Sequence, residues 1–399
     1  MDRDELGAWL RLTLSPGVGN GAARRLLACF GLPQAVFQQT EAALLQCVAP
    51  AQARALIAVP PAWEALTDAT WRWLEEAPQE PEGAARAVVT LGDPRYPQLL
   101  LDTEDPPLLL YLVGPAPLVA GTPFPAGRCL AVVGSRNPTA QGADNARLFS
   151  RALAEAGLTI VSGLALGIDA AAHEGALDAA PGAAGDAPAT IAVVGTGLDR
   201  VYPRKNLGLA HRIAARGLLV SEYPLGTPPL AANFPKRNRI ISGLSQGTLV
   251  VEAALASGSL ITARMAAEQG REVFAIPGSI HAPQSRGCHA LIRQGAKLVE
   301  SAQDVLEELR LPGPAGAAPA LAAAPPNDRA ADSSPAGGPP DETDSALLQA
   351  LGFDPMAVDA LVARTGQDAA SVQVELLELE LEGRVARLPG GLFQRLGRA

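Results

Sequence analysis

The sequence has 399 residues, of which 48% are hydrophobic, and its formal net charge at pH 7 is -9. This length accommodates two or three domains with a sizeable core, and the negative charge excludes a protein that coats nucleic acid with its whole surface. The four cysteines show neither a CxxC nor a Cys/His spacing, so neither a disulfide framework nor a metal site is expected.

The chain begins without the basic-then-apolar pattern of a signal peptide, and it contains no apolar run long enough for a membrane helix, so we expect a cytoplasmic protein without membrane insertion.

In residues 1–77 apolar side chains recur at three- and four-residue steps, which predicts an N-terminal helical domain. The turn from Ser15 to Asn20 (SPGVGN) is typical of a SAM-like or helix-hairpin-helix-like domain, and a plain connecting loop is an equal alternative.

Residues 78–127 are predicted to be a connecting segment with strand candidates at Ala87–Leu91 and Leu108–Val113. From residue 128 to residue 310 Val/Ile-rich strands alternate with helical patterns, which predicts an α/β domain with a Rossmann-like, doubly wound, mostly parallel sheet. The predicted strands are Cys129–Val133, Leu158–Val161, Ile191–Val194, Leu218–Val220, Thr248–Val251, Val273–Ile276 and Lys297–Val299.

Residues 311–342 are rich in Pro, Ala and Gly and are predicted to be a flexible linker. Residues 343–399 show three helical patterns and then a short hairpin with a Gly-rich tip, which is typical of a small winged-helix-like domain. This region has 5 basic and 8 acidic residues, so binding of duplex DNA through it is not expected.

Small and donor residues follow the predicted strands at their carboxyl ends, where ligands bind in an open parallel sheet. The first strand is followed by Gly134-Ser-Arg136, the second by Ser162 and Gly163, and the fifth by Ser257-Gly-Ser259, which opens a helix containing Thr262. Neither a Walker GxxxxGK[ST] nor a complete GxGxxG is present, so we expect no nucleotide cofactor.

The segment Phe234 to Gly243 (FPKRNRIISG) carries three cations in four residues. We interpret it as a loop that enters buried structure, because an apolar run follows at once. Guanidinium groups bind phosphate oxygens in bidentate fashion and aromatic rings stack on bases, so this segment is a candidate for nucleic-acid contact. A solvated loop paired with nearby carboxylates is the alternative. Residues 200–239 hold eight basic side chains and one acidic side chain, Glu222, which indicates a local anion site.

Eight segments of the predicted sheet domain, in order and with family-like spacing, resemble the DNA-processing protein A (DprA/Smf) family. They are VVGSRNPTAQG (132–142), IVSGLALGIDAAAH (160–173), AVVGTGLDRVYPRKN (192–206), SEYPLG (221–226), FPKRNRIISG (234–243), VVEAALASGSLITA (250–263), REVFAIPGS (271–279) and LIRQGAKLV (291–299). The resemblance implies a non-enzymatic homodimer that binds single-stranded DNA, protects incoming strands and loads a RecA-type recombinase in natural transformation.

The same resemblance implies roles for individual residues. Arg136 should grip a phosphate, Phe234 should shape the site or stack on a base, and Lys205 and Asn206 should make flanking contacts. The full set of expected DNA-binding residues is Gly134, Ser135, Arg136, Ser162, Gly163, Lys205, Asn206, Phe234, Lys236, Arg237, Asn238, Arg239, Ser257, Gly258, Ser259 and Thr262.

Two residue patterns leave an enzyme open as the alternative. Asp169 and His173 lie four residues apart in a predicted helix and could form an acid–base pair, although a structural histidine is favoured because no nucleophile or metal-ligand set accompanies them. Gly247-Thr248 with Glu252 faintly resembles an element of Rossmann-like enzymes that hydrolyse nucleotide N-glycosidic bonds. The Pro-Gly-Gly that usually precedes this element is absent, which favours Glu252 as a structural carboxylate.

Overall fold

A computed structural model of the protein describes residues 1–76, 84–121, 123–125, 127–179, 187–310, 345–353, 355–388 and 390–396. The N-terminal region is helical, as its apolar spacing predicts, and its helices bury a core around Trp9 and Leu26. The helices are α1 (Arg3–Leu14), α2 (Asn20–Phe30), α3 (Pro33–Phe37), α4 (Glu41–Leu44), α5 (Pro50–Ile57) and α6 (Trp63–Glu75). The SPGVGN turn connects α1 and α2.

A nine-stranded sheet forms the centre of the molecule, with strand order β1-β2-β6-β5-β4-β3-β7-β8-β9. Strands β3 to β9 pair in parallel, which confirms the predicted doubly wound sheet, and all seven predicted strands are present within one or two residues. The strands are β1 (Ala85–Thr90), β2 (Leu109–Gly114), β3 (Cys129–Val133), β4 (Thr159–Ser162), β5 (Thr190–Val193), β6 (Leu218–Ser221), β7 (Gly247–Val250), β8 (Glu272–Ala275) and β9 (Lys297–Leu298).

The segment predicted to lead into the sheet domain forms strands at both of its strand candidates, and these two strands, β1 and β2, belong to the sheet itself. Strand β2 pairs antiparallel with β6, with Tyr111 opposite Ser221, and β1 continues the sheet as its edge strand. The Tyr111 ring also packs edge-on against Trp73 of α6, with ring centres 6.0 Å apart. Strands β1 and β2 therefore join the N-terminal helices to the sheet through one continuous core.

Helices cover both faces of the sheet. They are α7 (Gln98–Leu101), α8 (Ala116–Ala120), α9 (Ala140–Glu155), α10 (Ile168–Asp178), α11 (Leu207–Arg216), α12 (Asn233–Gly243), α13 (Ser259–Glu268), α14 (Arg286–Arg293) and α15 (Ala302–Glu308). Apolar residues of α9 and α10, such as Phe149 and Ala172, pack against the strands. No helix in the described part of the chain is long and apolar enough to cross a membrane.

Helices α9 and α10 approach each other closely at Gly175, and this contact gives a test of the packing. A Cβ atom added at Gly175 would lie 2.1 Å from the backbone oxygen of Arg147, so the two helices would have to separate. We expect Gly175→Ala to lower the free energy of unfolding by about 1–3 kcal/mol, the usual effect of overpacking, and urea denaturation would measure it.

Gly208→Ala is the matched control for Gly175→Ala. Gly208 also lies in a helix, α11, but nothing is within 4 Å of its added Cβ. Because alanine favours a helix over glycine by about 1 kcal/mol, this variant should be neutral or slightly stabilised. Equal denaturation midpoints for the two variants would contradict the close packing of α9 on α10.

The C-terminal region forms a winged helix, as the sequence predicts. Its elements are α16 (Ala346–Leu351), β10 (Met356–Ala357), α17 (Val358–Thr365), α18 (Ala369–Leu381), β11 (Val385–Leu388) and β12 (Leu392–Arg395). Strand β12 pairs antiparallel with both β10 and β11, and the three helices bury their own apolar cluster. The predicted linker at 311–342 lies outside the described residues.

Candidate nucleic-acid interface

A groove of about 690 Å³ opens at the carboxyl ends of β3 and β7. Strands β3 and β7 are neighbours in the sheet. From β3 the chain continues through β4, β5 and β6 on one side, and β7, β8 and β9 then lie on the other side, so the strand order reverses between β3 and β7. Ligands bind at such switch points in doubly wound sheets. Of the residues predicted from the sequence, those that line the groove are Gly134, Ser135, Arg136, Phe234, Arg237, Asn238, Ser257, Gly258, Ser259 and Thr262.

The loop after β3 presents Arg136 to the groove. The amide of Ser135 donates to the carbonyl of Glu252 at 2.7 Å, and the carbonyl of Ser135 accepts from the amide of Ile168 at 3.0 Å. These two bonds fix the backbone, whereas the Arg136 side chain is exposed, with its guanidinium carbon 5.9 Å from the centre of the Phe234 ring. Within the described residues Arg136 forms no ion pair, so its charge is available to an anionic ligand.

The Glu252 side chain anchors the end of the loop that carries Arg136. Its carboxylate accepts hydrogen bonds from the amide of Thr139 at 2.9 Å and from the Thr139 hydroxyl, at the start of α9. Its side chain is not among those that line the groove. The geometry therefore supports the structural interpretation of Glu252 and gives no support to a hydrolytic carboxylate.

The FPKRNRIISG segment is a helix, α12, and not the loop predicted from its sequence. Pro235 lies in its first turn, where proline is tolerated because the amide there has no intrahelical partner. Helical spacing turns Phe234, Arg237, Asn238 and Ile241 towards the groove, since residues three and four apart share a face. The three cations of the segment therefore have three different environments.

Arg237 lies at the bottom of the groove and is almost completely buried. Its guanidinium donates to the carbonyl of Val193 at 2.8 Å, and a Cβ at Gly163 would lie only 1.6 Å from the same nitrogen. Burial lowers the pKa of Arg237, and the nearby Asp169 carboxylate opposes this effect. Gly163 therefore makes room for Arg237, and Arg237 is a structural cation with one face towards the groove.

Asp169 is the acidic partner at the bottom of the groove. It is buried and accepts from the amides of Gly163 and Ala165 at 3.2 and 3.4 Å. Burial raises the pKa of Asp169, and the Arg237 charge is the largest of the influences that lower it. The Arg237 charge thus keeps Asp169 from presenting an uncompensated negative charge to a bound phosphate.

Arg239 does not reach the groove, contrary to the prediction. It forms an ion pair with Glu222, and its Nε lies 3.3 Å from a carboxylate oxygen of Asp105. The prediction was wrong because a helix turns Arg239 about 200° away from Arg237, towards β6. Lys236 is exposed with its Nζ 6.0 Å from the centre of the Tyr223 ring, and it lies beside the groove and not in its lining.

Three further predicted contacts have structural roles or lie outside the lining. The Ser162 hydroxyl is buried and donates to the carbonyl of Val132 at 2.6 Å. The Asn206 amide is buried and donates to the carbonyls of Leu164 and Ala165. Lys205 is exposed but does not line the groove. Ser162 and Asn206 therefore hold loops in place, and their side chains are already bonded within the protein.

Tyr202 also lines the groove, although it is not among the residues predicted from the sequence. The residue is 47% exposed, and the centre of its ring lies 5.5 Å from the centre of the Phe234 ring, with the two planes tilted by 39°. The two rings form an aromatic wall next to Arg136. The signal was present in the VYPRKN motif, but only the Lys205 and Asn206 of that motif were assigned a role.

The start of α13 forms the opposite side of the groove. Gly258 is exposed, and the hydroxyls of Ser257 and Ser259 lie 2.7 Å apart beside it. A helix amino end carries partial positive charge and backbone donors, which favour an anion. Together with Arg136, this end could hold successive phosphates of one strand across the groove.

His173 is not positioned for acid–base chemistry. It is fully buried, and its Nδ1 lies 2.7 Å from the Thr190 hydroxyl, which itself donates to the carbonyl of Ile160. The Nδ1 nitrogen is therefore the donor of that bond. Burial and, to a smaller extent, the Arg237 charge lower the pKa of His173 to about 3, so the ring is neutral at pH 7. This supports the structural interpretation of His173.

Comparisons with known proteins agree with this architecture. Residues 87–310 match the family model described as DNA recombination-mediator protein A, and residues 319–391 match the one described as DprA winged helix domain. Protein Smf from Escherichia coli (strain K12) is 47% identical over 310 residues, which are 76% of this chain and 76% of that protein. The structure of DNA processing protein A from Streptococcus pneumoniae is 39% identical, with a TM-score of 0.60 over 75% of this chain and 95% of that one.

A further structure describes the single-stranded DNA binding mode of DNA processing protein A from Helicobacter pylori. It is 31% identical and covers 56% of this chain and 95% of its own, with a TM-score of 0.48. The family match spans all the parallel strands, β2 and most of β1. The chain therefore belongs to the DNA recombination-mediator protein A family.

Proposed function

We propose that the protein binds single-stranded DNA in the switch-point groove and, as a homodimer, delivers the strand to a RecA-type recombinase during DNA uptake and recombination. The observation that carries the proposal is the composition of the groove. It combines an exposed guanidinium, the amino end of a helix and an aromatic wall within one cavity. These are the groups that bind phosphates and unpaired bases.

The geometry favours a single strand over a duplex. Phe234 and Tyr202 offer ring faces on which an unpaired base could stack, whereas the bases of a duplex are stacked on each other. Arg136 and the start of α13 could then hold the flanking phosphates. The overall charge of -9 restricts phosphate binding to such local positive sites.

The groove needs no catalytic step for this function. Glu252 is bonded to Thr139 outside the lining, His173 is buried and neutral, and among the described residues no group of three or more His, Cys, Asp or Glu side chains could hold a metal ion. Binding and delivery of a strand require none of these groups, so a mediator without turnover accounts for the site.

Fluorescence anisotropy of a labelled oligo-dT, with a duplex of equal length for comparison, tests the proposal. We expect tighter binding of the single strand, with log K falling against log salt by roughly 0.7 for each phosphate neutralised. Addition of the protein should also speed recombinase assembly on that strand. The absence of saturable binding, or turnover of nucleoside monophosphates that Glu252→Gln abolishes, would overturn the proposal.

Tyr202→Ala tests the aromatic wall. Base stacking on an aromatic side chain contributes about 1–3 kcal/mol, and we expect the lower end here, about a fivefold loss of oligo-dT affinity, because Phe234 remains. Tyr202→Phe keeps the ring and should bind like the wild type. Since Tyr202 is about half exposed, its removal should leave the denaturation midpoint unchanged. Equal oligo-dT affinity of the alanine and phenylalanine variants would show that the Tyr202 ring does not contact the strand.

A further inference from the structure

Helix α18 of the winged helix is apolar on its outward face. Val374, Leu377 and Leu381 are 58%, 56% and 81% exposed, and their spacing of three and four residues places them in one stripe. The opposite face of α18 is buried in the core of the winged helix. A helix that is apolar on both faces is normally buried on both, so the outward stripe is expected to be covered by a partner.

The chemistry of α18 excludes the usual ligand of such a helix. In helix-turn-helix domains the second helix of the motif, here α18, lies in the major groove, and phosphate contacts come from Lys and Arg. The sequence of α18, AASVQVELLELEL, contains no basic residue and three glutamates. Duplex DNA would therefore meet a face that is apolar and negatively charged.

The acidic side chains beside the apolar stripe indicate the charge that a partner should carry. Glu375, Glu378 and Glu382 follow one another along one side of it. Glu382 lies 3.7 Å from Arg384, whereas Glu375 and Glu378 form no ion pair among the described residues. A second copy of α18 packed antiparallel would bring these acidic sides together, which is unfavourable.

We propose that the Val374–Leu377–Leu381 stripe docks an amphipathic helix of a partner protein whose apolar stripe is flanked by Lys and Arg. The apolar side chains would supply the affinity, and the glutamates would select the basic flank and speed association. The winged helix would then be a protein-docking module that is separate from the DNA-binding groove.

A synthetic helical peptide gives the direct test with the full-length protein. The peptide carries Leu at positions i, i+3, i+4 and i+7 with Lys on both flanks, and a second peptide has Glu in place of Lys. We expect saturable binding of the Lys peptide, at least tenfold weaker binding of the Glu peptide, and at least tenfold loss of Lys-peptide affinity in Leu377→Gln/Leu381→Gln. Because both leucines are exposed, this variant should fold normally.

Two controls make the test specific. Leu148→Gln replaces a leucine of α9 that is 52% exposed, and it should bind the Lys peptide like the wild type. Glu375→Lys/Glu378→Lys should reverse the preference towards the Glu peptide. Unchanged affinity in the leucine double variant would overturn the proposal, as would stripe-dependent binding of a DNA duplex or stripe-dependent self-association in sedimentation experiments.

Discussion

Arg136→Glu is expected to weaken the binding of oligo-dT at least tenfold at 0.1 M salt. The wild-type side chain is exposed beside Phe234 and forms no ion pair within the described residues, so its charge is free for a phosphate. A glutamate at this place removes one phosphate contact and adds a repulsive charge in the groove. The milder Arg136→Ala should reduce the slope of log K against log salt by roughly 0.7, the value for one phosphate of a single strand.

Arg151→Glu is the matched control, because it makes the same change in net charge away from the groove. Arg151 is exposed on α9 and pairs with Glu155 of the same helix at 2.9 Å. Loss of that pair should cost about 0.5 kcal/mol of stability and leave affinity and salt slope unchanged. If Arg151→Glu and Arg136→Glu weakened binding equally, the effect would come from net charge, and the groove would not be the binding site.

The sequence allowed the sheet and the loops at its carboxyl ends to be predicted, because both depend on local patterns. Val/Ile runs that alternate with helical patterns indicate buried parallel strands, Gly134–Arg136 directly follows such a run, and Ser257–Ser259 lies in the loop after another. The pairing of β2 with β6 was not predictable. It joins residues more than a hundred positions apart, and the backbone hydrogen bonds that form it do not depend on residue type.

The orientation of the cations in α12 was also beyond the sequence. When Phe234–Gly243 is read as a loop, its three cations are equivalent, whereas a helix separates neighbours by about 100° and sends each one to a different environment. The helix was missed because of Pro235 and the polar composition of its first half. One signal could have helped: Glu222, the single acidic residue among the cations of 200–239, is the partner of Arg239.

Arg239→Ala is therefore expected to affect folding and not DNA binding. The side chains of Arg239 and Glu222 are only 11% and 7% exposed, so removal of the cation leaves a buried carboxylate without its main partner. Breaking a buried pair in this way costs about 3–5 kcal/mol. Chemical denaturation would measure the loss, and oligo-dT affinity under native conditions should stay within about twofold of the wild type.

The pH dependence of this loss identifies its cause. Burial raises the pKa of Glu222, and Arg239 is the largest of the influences that lower it, so the pKa in Arg239→Ala should rise further. A carboxyl whose pKa is higher in the folded state than in the unfolded chain stabilises the fold below its unfolded pKa, and that stability is lost as the pH rises through the folded pKa. The stability deficit of Arg239→Ala should consequently be smaller at pH 5 than at pH 8.

A neutral replacement of both partners separates the buried charge from the lost packing. Glu222→Gln/Arg239→Met keeps side chains of similar length and leaves no unpaired charge, so it should recover most of the stability that Arg239→Ala loses, and its stability should no longer follow the Glu222 titration. A deficit in Arg239→Ala that is equal at pH 5 and pH 8 would show that packing dominates. If Arg239→Ala were as stable as the wild type but failed to bind oligo-dT, Arg239 would be a DNA-binding residue after all.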